Sequence, residues 1–159
     1  MNIPWGNIKV LVTDFDGVHT DGFVYVDQDG KEMVKCSRKD GLGIEMLKKA
    51  GIDVAVISKE KNSVVSKRCE KLGIACYHGI DEKLKIFQKI MSDYGAEKEH
   101  VCYIGDDIID ISPMAAAGIG VAVADAHPLV RRAADFVTER KGGDHAVREV
   151  CDLIISSLE

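Results

Sequence analysis

The stretch IKVLVTDFDGVHTDG, residues 8–22, is an apolar run that ends abruptly in two carboxylates, Asp14 and Asp16. Ile8 to Val12 reads as a strand buried on both faces, the pattern of a parallel sheet. Side chains alternate along an extended backbone, so Asp14 and Asp16 share a face, and Gly17 and Gly22 let the chain turn around them. Two like charges so close raise one another's pKa, and a divalent cation is the simplest way to keep both ionised at neutral pH. The pair therefore reads as a metal-assisted site, with an Asp-rich turn that merely ends a strand as the plainer alternative.

Composition sets the bounds around that stretch. A chain of 159 residues, 46% hydrophobic and 30% charged, is expected to form a single soluble domain over residues 1–159. The net charge of -5 argues against a nucleic-acid or acidic-membrane partner, while leaving room for a local basic pocket. The five cysteines, Cys36, Cys69, Cys76, Cys102 and Cys151, show no C-x-x-C spacing. Neither a disulfide framework nor a zinc site is indicated. No apolar run approaches a membrane span, and residues 1–7 lack a signal-peptide pattern, so a cytoplasmic location is expected.

Beyond Gly22, FVYVDQDGKEMVKCS carries two alternating segments around residues 27–30, a β-hairpin signal that should project over the site. Phe23, Tyr25 or Met33 is then exposed and needs cover, from a partner subunit or from the chain itself. Helical spacing follows from Asp40 to Gly51, then a buried strand at 52–58. Asn62 is placed to cap the next helix, Asp81 to open another, and HVCYIG (100–105) is a third clear strand ahead of an Ala-rich helix. Short strands are expected at 119–123 and 135–138, with helices near 128–134 and 144–158. Strands alternating with helices predict an α/β fold: a doubly wound, mostly parallel sheet with right-handed crossovers. Such sheets bind ligands at the carboxyl ends of their strands, near the topological switch point. Asp14 and Asp16, Ser58, and Asp106 with Asp107 all stand at such ends.

The second acidic cluster is GDDIID, residues 105–110. Carboxylates without a neighbouring His or Cys suit a hard cation such as Mg²⁺. A helix starting near Asp107 would put Asp107 and Asp110 on one face and leave Asp106 in the turn. Ser58 can donate a hydroxyl to a phosphate oxygen, helped by backbone N–H groups at the start of the following helix. Lys83, at a helix start where the dipole favours acids, calls for a compensating anion.

Taken in order, Asp14-x-Asp16, Ser58, Lys83 and Gly105-Asp106-Asp107-x-x-Asp110 resemble the four motifs of the haloacid dehalogenase-like (HAD) phosphohydrolases. The resemblance implies Asp14 as the nucleophile that forms an aspartyl-phosphate, and Asp16 as general acid and base. It implies Mg²⁺ held by the Asp14 carboxylate, the Asp16 carbonyl and Asp106. Ser58 and Lys83 would hold the phosphoryl group, with Asp107 and Asp110 orienting metal-bound water and Lys83. A carboxylate attacks a phosphate only where such cations offset their repulsion.

DGVHTDG, the hairpin, RKDGLGI (38–44), YIGDDIID and KGGDHAVRE (141–149) look like the capless branch typified by 3-deoxy-D-manno-octulosonate (KDO) 8-phosphate phosphatase. Too few residues separate the motifs to leave room for a cap domain. Relatives act on 9-phosphates of nine-carbon nonulosonates such as KDN or N-acetylneuraminate, and similar domains are fused to cytidylyltransferases. The resemblance implies a homotetramer whose hairpins associate and whose sites are closed by a neighbour. Lys59 stands where the octulosonate branch has glycine, and Glu60 with Lys71 points to the nine-carbon branch, whereas RKDGLGI points to the octulosonate branch. Lys59, Glu60, Arg38, Arg68 and Lys71 are the candidates for recognising the sugar acid. Two other classes compete. A phosphoaspartate receiver domain would need its Asp on a middle strand, where Ser58 stands. A silent tetramerisation module would have no reason to keep Asp14, Asp16, Lys83 and Asp106.

Overall fold

The apolar run after Lys9 forms strand β1, Val10–Thr13, whose residues are all buried. A computed structural model describes residues 3–159; residues 1 and 2, the first of those read for a leader, lie outside it. Strand β1 pairs in parallel on one side with β4 (Asp53–Ile57) and on the other with β6 (Val101–Gly105). Strand β5 (Ala75–Tyr77) flanks β4, while β7 (Ile119–Ala122) and β8 (Phe136–Val137) extend the other side. The six-stranded sheet thus has the order β5-β4-β1-β6-β7-β8, parallel throughout.

Each crossover is helical. Helices α1 (Arg38–Lys49), α2 (Val64–Leu72) and α6 (Ala146–Ser156) pack together, as do α3 (Lys83–Asp93), α4 (Ile111–Ala116) and α5 (Pro128–Ala133). The two groups cover opposite faces, which is why β1, β4 and β6 are apolar on both sides. Connections from β1 run to β4 and those from β6 run to β7, so the chain reverses its winding between β1 and β6. That switch point sets Asp14 beside Asp106. This is the doubly wound, mostly parallel α/β fold expected, with no cap domain among the described residues. The hairpin is β2 (Tyr25–Val26) paired antiparallel with β3 (Glu32–Met33), and its Phe23, Tyr25 and Met33 are exposed.

The element starts differ from expectation in informative ways. Helix α1 begins at Arg38 because Ser37 accepts hydrogen bonds from the Lys39 and Asp40 N–H groups; Asp40 is buried inside the first turn. Asn62 does reach Val64 N at 3.0 Å, although the cap position itself is Ser63. Asp81 does not open α3, which starts at Lys83 after Glu82. GDDIID is not the start of an α-helix: Ile108–Asp110 is a 3-10 turn capped by Asp107, and α4 follows it. All five cysteines are free thiols, and no helix among the described residues is long and apolar enough to cross a membrane.

Behind the Asp14 strand end lies a buried polar group that periodicity does not reveal. His19 is 2% exposed, stacks on Phe15 and places Nε2 2.8 Å from the Thr13 hydroxyl. Burial, helped by the Arg68 guanidinium, pulls its pKa down to about 4. Asp40 sits near the same guanidinium; its Oδ1 accepts the Arg148 N–H at 2.9 Å, and burial pushes its carboxyl up to about 6. In the native state His19 stays neutral where the unfolded chain takes up a proton, so its contribution is full above the ordinary value of 6.5 and lost as pH falls toward 4. Asp40 works in the opposite sense, so the parent alone masks the effect. We expect His19→Asn, which cannot titrate, to gain about 2 kcal/mol on the parent between pH 7.5 and pH 5. Urea midpoints at the two pH values measure this, and a constant difference would contradict it.

Candidate active site

Asp14 leaves β1 at the switch point, where its N–H donates to the Ile104 carbonyl of β6 at 2.9 Å. Its Oδ1 accepts the Phe15 N–H at 2.6 Å and its Oδ2 lies 2.9 Å from Lys83 Nζ. Lys83 is the first residue of α3 and only 3% exposed. The anion its position calls for is doubled, because Nζ also donates to Asp110 Oδ1 at 2.8 Å. Asp110 is fully buried and fully used: Oδ1 accepts the Tyr103 hydroxyl at 2.7 Å, and Oδ2 accepts the Asp106 and Asp107 N–H groups at 3.0 and 3.2 Å. The 3-10 turn is what brings Asp110 back under Asp106.

The charge balance is uneven. Asp14, Asp106 and Asp110 each place an oxygen within 4.8 Å of the others, against the single ammonium of Lys83. Burial, then the Asp110 charge, pushes the Asp14 carboxyl well above the usual range, with Lys83 opposing. Burial and the Asp110 and Asp107 charges raise Asp106 to about 7. Asp16, half-buried, is raised by burial and then by Glu60 and Glu32. Burial alone would lower the Lys83 pKa; the Asp14 and Asp110 carboxylates outweigh it and hold the ammonium charged. Oxygen donors carrying excess negative charge fit a hard divalent cation, which would relieve that repulsion. Asp110 is already saturated, so Asp14 and Asp106 are the carboxylates free to take it. Gly17 adds a steric condition: with φ +80° it passes so near Asp106 that a Cβ would lie 1.9 Å from Oδ2.

These groups open into a cleft of about 590 Å³ lined by Asp14, Asp16, Ser58, Asp106 and Asp107, with Lys59, Glu60 and Lys61 on one wall. Ser58 Oγ accepts the Glu60 N–H at 3.1 Å, which leaves its proton for the cleft. Two N–H groups of the loop that follows are already taken: Glu60 Oε1 accepts from both Lys61 and Asn62 at 2.9 Å. Asp107 caps its own turn, accepting the Ile108 N–H at 2.7 Å, and Asp110 is the carboxylate of the pair that holds the lysine.

Three predicted recognition residues are not brought to this cleft within the chain. Arg38 is exposed at the start of α1, and Lys71 lies in the last turn of α2, which runs away from the carboxyl rim. Arg68 turns instead to the Ser37 carbonyl at 3.2 Å, tying α2 to the cap of α1. Conversely Lys61, Asp81 and Ile109 line the cleft without having been singled out for it. Tyr103 was also missed, since a tyrosine inside an apolar strand reads as core and only the fold brings Asp110 to its hydroxyl.

Similarity to known proteins agrees with this geometry. Residues 74–150 match the haloacid dehalogenase-like hydrolase family. The chain is 44% identical over 150 residues, 94% of its length and 80% of the relative's, to 3-deoxy-D-manno-octulosonate 8-phosphate phosphatase of Yersinia pestis. The chain belongs to the haloacid dehalogenase-like hydrolases, in the family of the 3-deoxy-D-manno-octulosonate 8-phosphate phosphatases, and is a phosphatase of phosphate monoesters. The crystal structure of the Yersinia pestis enzyme superposes with a TM-score of 0.95 at 42% identity, covering 98% of this chain and 84% of that one. The Moraxella catarrhalis phosphatase, solved in complex with a magnesium ion, a phosphate ion and KDO, superposes at 0.93 with 35% identity, covering 97% and 89%. Membership removes the receiver-domain alternative.

The Lys83 bridge makes a stability prediction. Lys83→Met leaves two buried carboxylates without their counter-charge, which should cost roughly 3–5 kcal/mol. Urea unfolding in the presence of a chelator measures it, and Mg²⁺ should recover part of the loss. An unchanged midpoint would mean that the bridge contributes nothing net.

Proposed function

We propose that this chain, acting as one catalytic domain, hydrolyses the 8-phosphate ester of KDO with Mg²⁺ through an aspartyl-phosphate. The observation that carries the reading is the Asp14–Lys83–Asp110 bridge, which holds Asp14 at the floor of an open cleft beside Asp16 and Asp106. Asp14 Oδ attacks phosphorus, and the bond from phosphorus to the sugar oxygen breaks. Asp16, whose carboxyl is shifted toward holding a proton by burial and by the Glu60 and Glu32 charges, protonates the leaving oxygen. The resulting Asp16 carboxylate then takes a proton from water as that water attacks the phospho-aspartate, releasing inorganic phosphate and restoring Asp14. Ser58 donates its free hydroxyl proton to a phosphoryl oxygen, and Lys83 neutralises the charge between Asp14 and the phosphoryl group. Mg²⁺, held by Asp14, Asp106 and the Asp16 carbonyl, offsets the repulsion between the attacking carboxylate and the phosphate. Asp110 fixes Lys83, and Asp107 fixes the turn that presents Asp106.

Two observations bear on the substrate. The relatives at 43–44% identity are KDO 8-phosphate phosphatases. Within one chain Glu60 is tied to its own loop and Lys71 points away from the rim, so the pair suggesting nine-carbon acids is not assembled. The cleft holds Lys59 and Lys61 but none of Arg38, Arg68 or Lys71, and the exposed hairpin residues Phe23, Tyr25 and Met33 remain uncovered. We place these hairpins at the centre of a homotetramer, where neighbours close each site and supply the missing sugar-acid contacts. Activity of this kind belongs in the cytoplasm, where phosphorylated sugar acids are made and used.

The test is phosphate release by purified protein with Mg²⁺, comparing KDO 8-phosphate with KDN and N-acetylneuraminate 9-phosphates. KDO 8-phosphate should give the highest kcat/KM, and a preference for a 9-phosphate would overturn the substrate. Asp14→Asn should bring release to background, and turnover matching the parent would overturn the mechanism.

A further inference from the structure

The segment between β8 and α6 touches no substrate in the scheme above, yet its backbone lies directly against the loop that carries Asp16. A Cβ on Gly142 would sit 1.7 Å from the Gly17 carbonyl oxygen and 3.1 Å from that of Thr20. Gly143 has φ +72°, and a Cβ there would sit 2.4 Å from Asp21 N. Its N–H donates to the Val18 carbonyl at 3.1 Å, so the contact is a bonded one as well as a close one. Two residues on, His145 adopts φ +75°, a left-handed conformation costly for a side chain with a Cβ, to turn the chain into α6.

These contacts close a ring around Asp106. Gly142 presses on Gly17, and Gly17 passes within van der Waals reach of the Asp106 carboxylate. The Asp106 carbonyl accepts the His127 N–H at 2.7 Å. Two residues before His127, Asp125 Oδ1 accepts the Gly142 N–H at 3.0 Å and returns the ring to its start. A methyl group at Gly142 has no free space to occupy, and the atom it would displace is backbone of the loop between the two acidic clusters.

We propose that Gly142 and Gly143 are positioning residues of the metal site, whose bare backbone sets how closely Gly17 approaches Asp106. The proposal rests on reading Asp14 and Asp106 as the metal-holding carboxylates. Substituting Gly142 therefore displaces the Gly17 backbone that packs against Asp106 and changes the spacing between the carboxylates that share the cation.

Mg²⁺ binding to the purified chain, by calorimetry and by the Mg²⁺-dependent rise in Tm, is the readout. It needs no sugar phosphate, so an error in the substrate leaves the test intact. Gly142→Ala should weaken Mg²⁺ affinity about tenfold or more, as loss of an outer support for a metal ligand does, and the clash with the Gly17 backbone should also lower the Tm in chelator. A folded Gly142→Ala chain with the parent's affinity would overturn the proposal. Should Gly142→Ala not fold, Asp125→Ala loosens the same ring without adding bulk and is expected to weaken Mg²⁺ binding in the same direction; parental affinity there would overturn it. Gly30→Ala, in the exposed hairpin turn with nothing near it, controls for replacing a glycine away from this ring. It should bind Mg²⁺ as the parent does, and an equal weakening there would refute the positional argument.

Discussion

The Lys83 ammonium, buried between Asp14 and Asp110, is the contact on which the rest of this site depends. Desolvating three carboxylates in one place is unfavourable, and a single lysine at a helix start offsets part of it without filling the cleft. Because Asp110 spends both oxygens on Lys83, Tyr103 and two backbone N–H groups, it acts as a rigid anchor for the loop above it. The residual negative charge falls on Asp14 and Asp106, which face the open cleft, so the demand for a cation arises where chemistry needs one. Stability and affinity for metal are thus two consequences of the same imbalance.

The sheet makes this affordable by geometry alone. Reversal of winding between β1 and β6 leaves a crevice at the carboxyl ends of adjacent strands, and the two acidic clusters emerge on its two sides. Around the crevice the chain uses backbone where a side chain would not fit: Gly17 against Asp106, and Gly142 against Gly17. The apolar hairpin leaves from the same rim and stays exposed.

Much of this was legible along the chain, for identifiable reasons. Strand β1 is buried on both faces, and an unbroken apolar run followed at once by Asp14 and Asp16 has few other readings. Lys83 was conspicuous because a lysine in a first helical turn opposes the dipole. Element starts were less legible: Ser37 caps α1 ahead of Asp40, where the helical spacing begins, and α3 starts at Lys83 rather than at Asp81. GDDIID was misread as helix because its spacing satisfies a helical face, while the actual 3-10 turn is selected by the hydrogen bonds that Asp110 makes to Asp106 and Asp107. Arg68 and Lys71 carried the right charge for recognition, but the direction of α2 sends one to Ser37 and the other to the far rim.

By itself the sequence determined the doubly wound α/β class, the strand ends that bear chemistry and the family to which the chain belongs. Those properties follow from hydrophobic period and from local residue chemistry, which neighbours in the chain are enough to specify. Only the tertiary structure decided that the Tyr103 hydroxyl reaches Asp110, that Glu60 is spent on its own loop, and that Gly142 lies against Gly17. Each of those is a contact between segments brought together by the sheet, and its distance depends on packing that no single stretch of sequence contains.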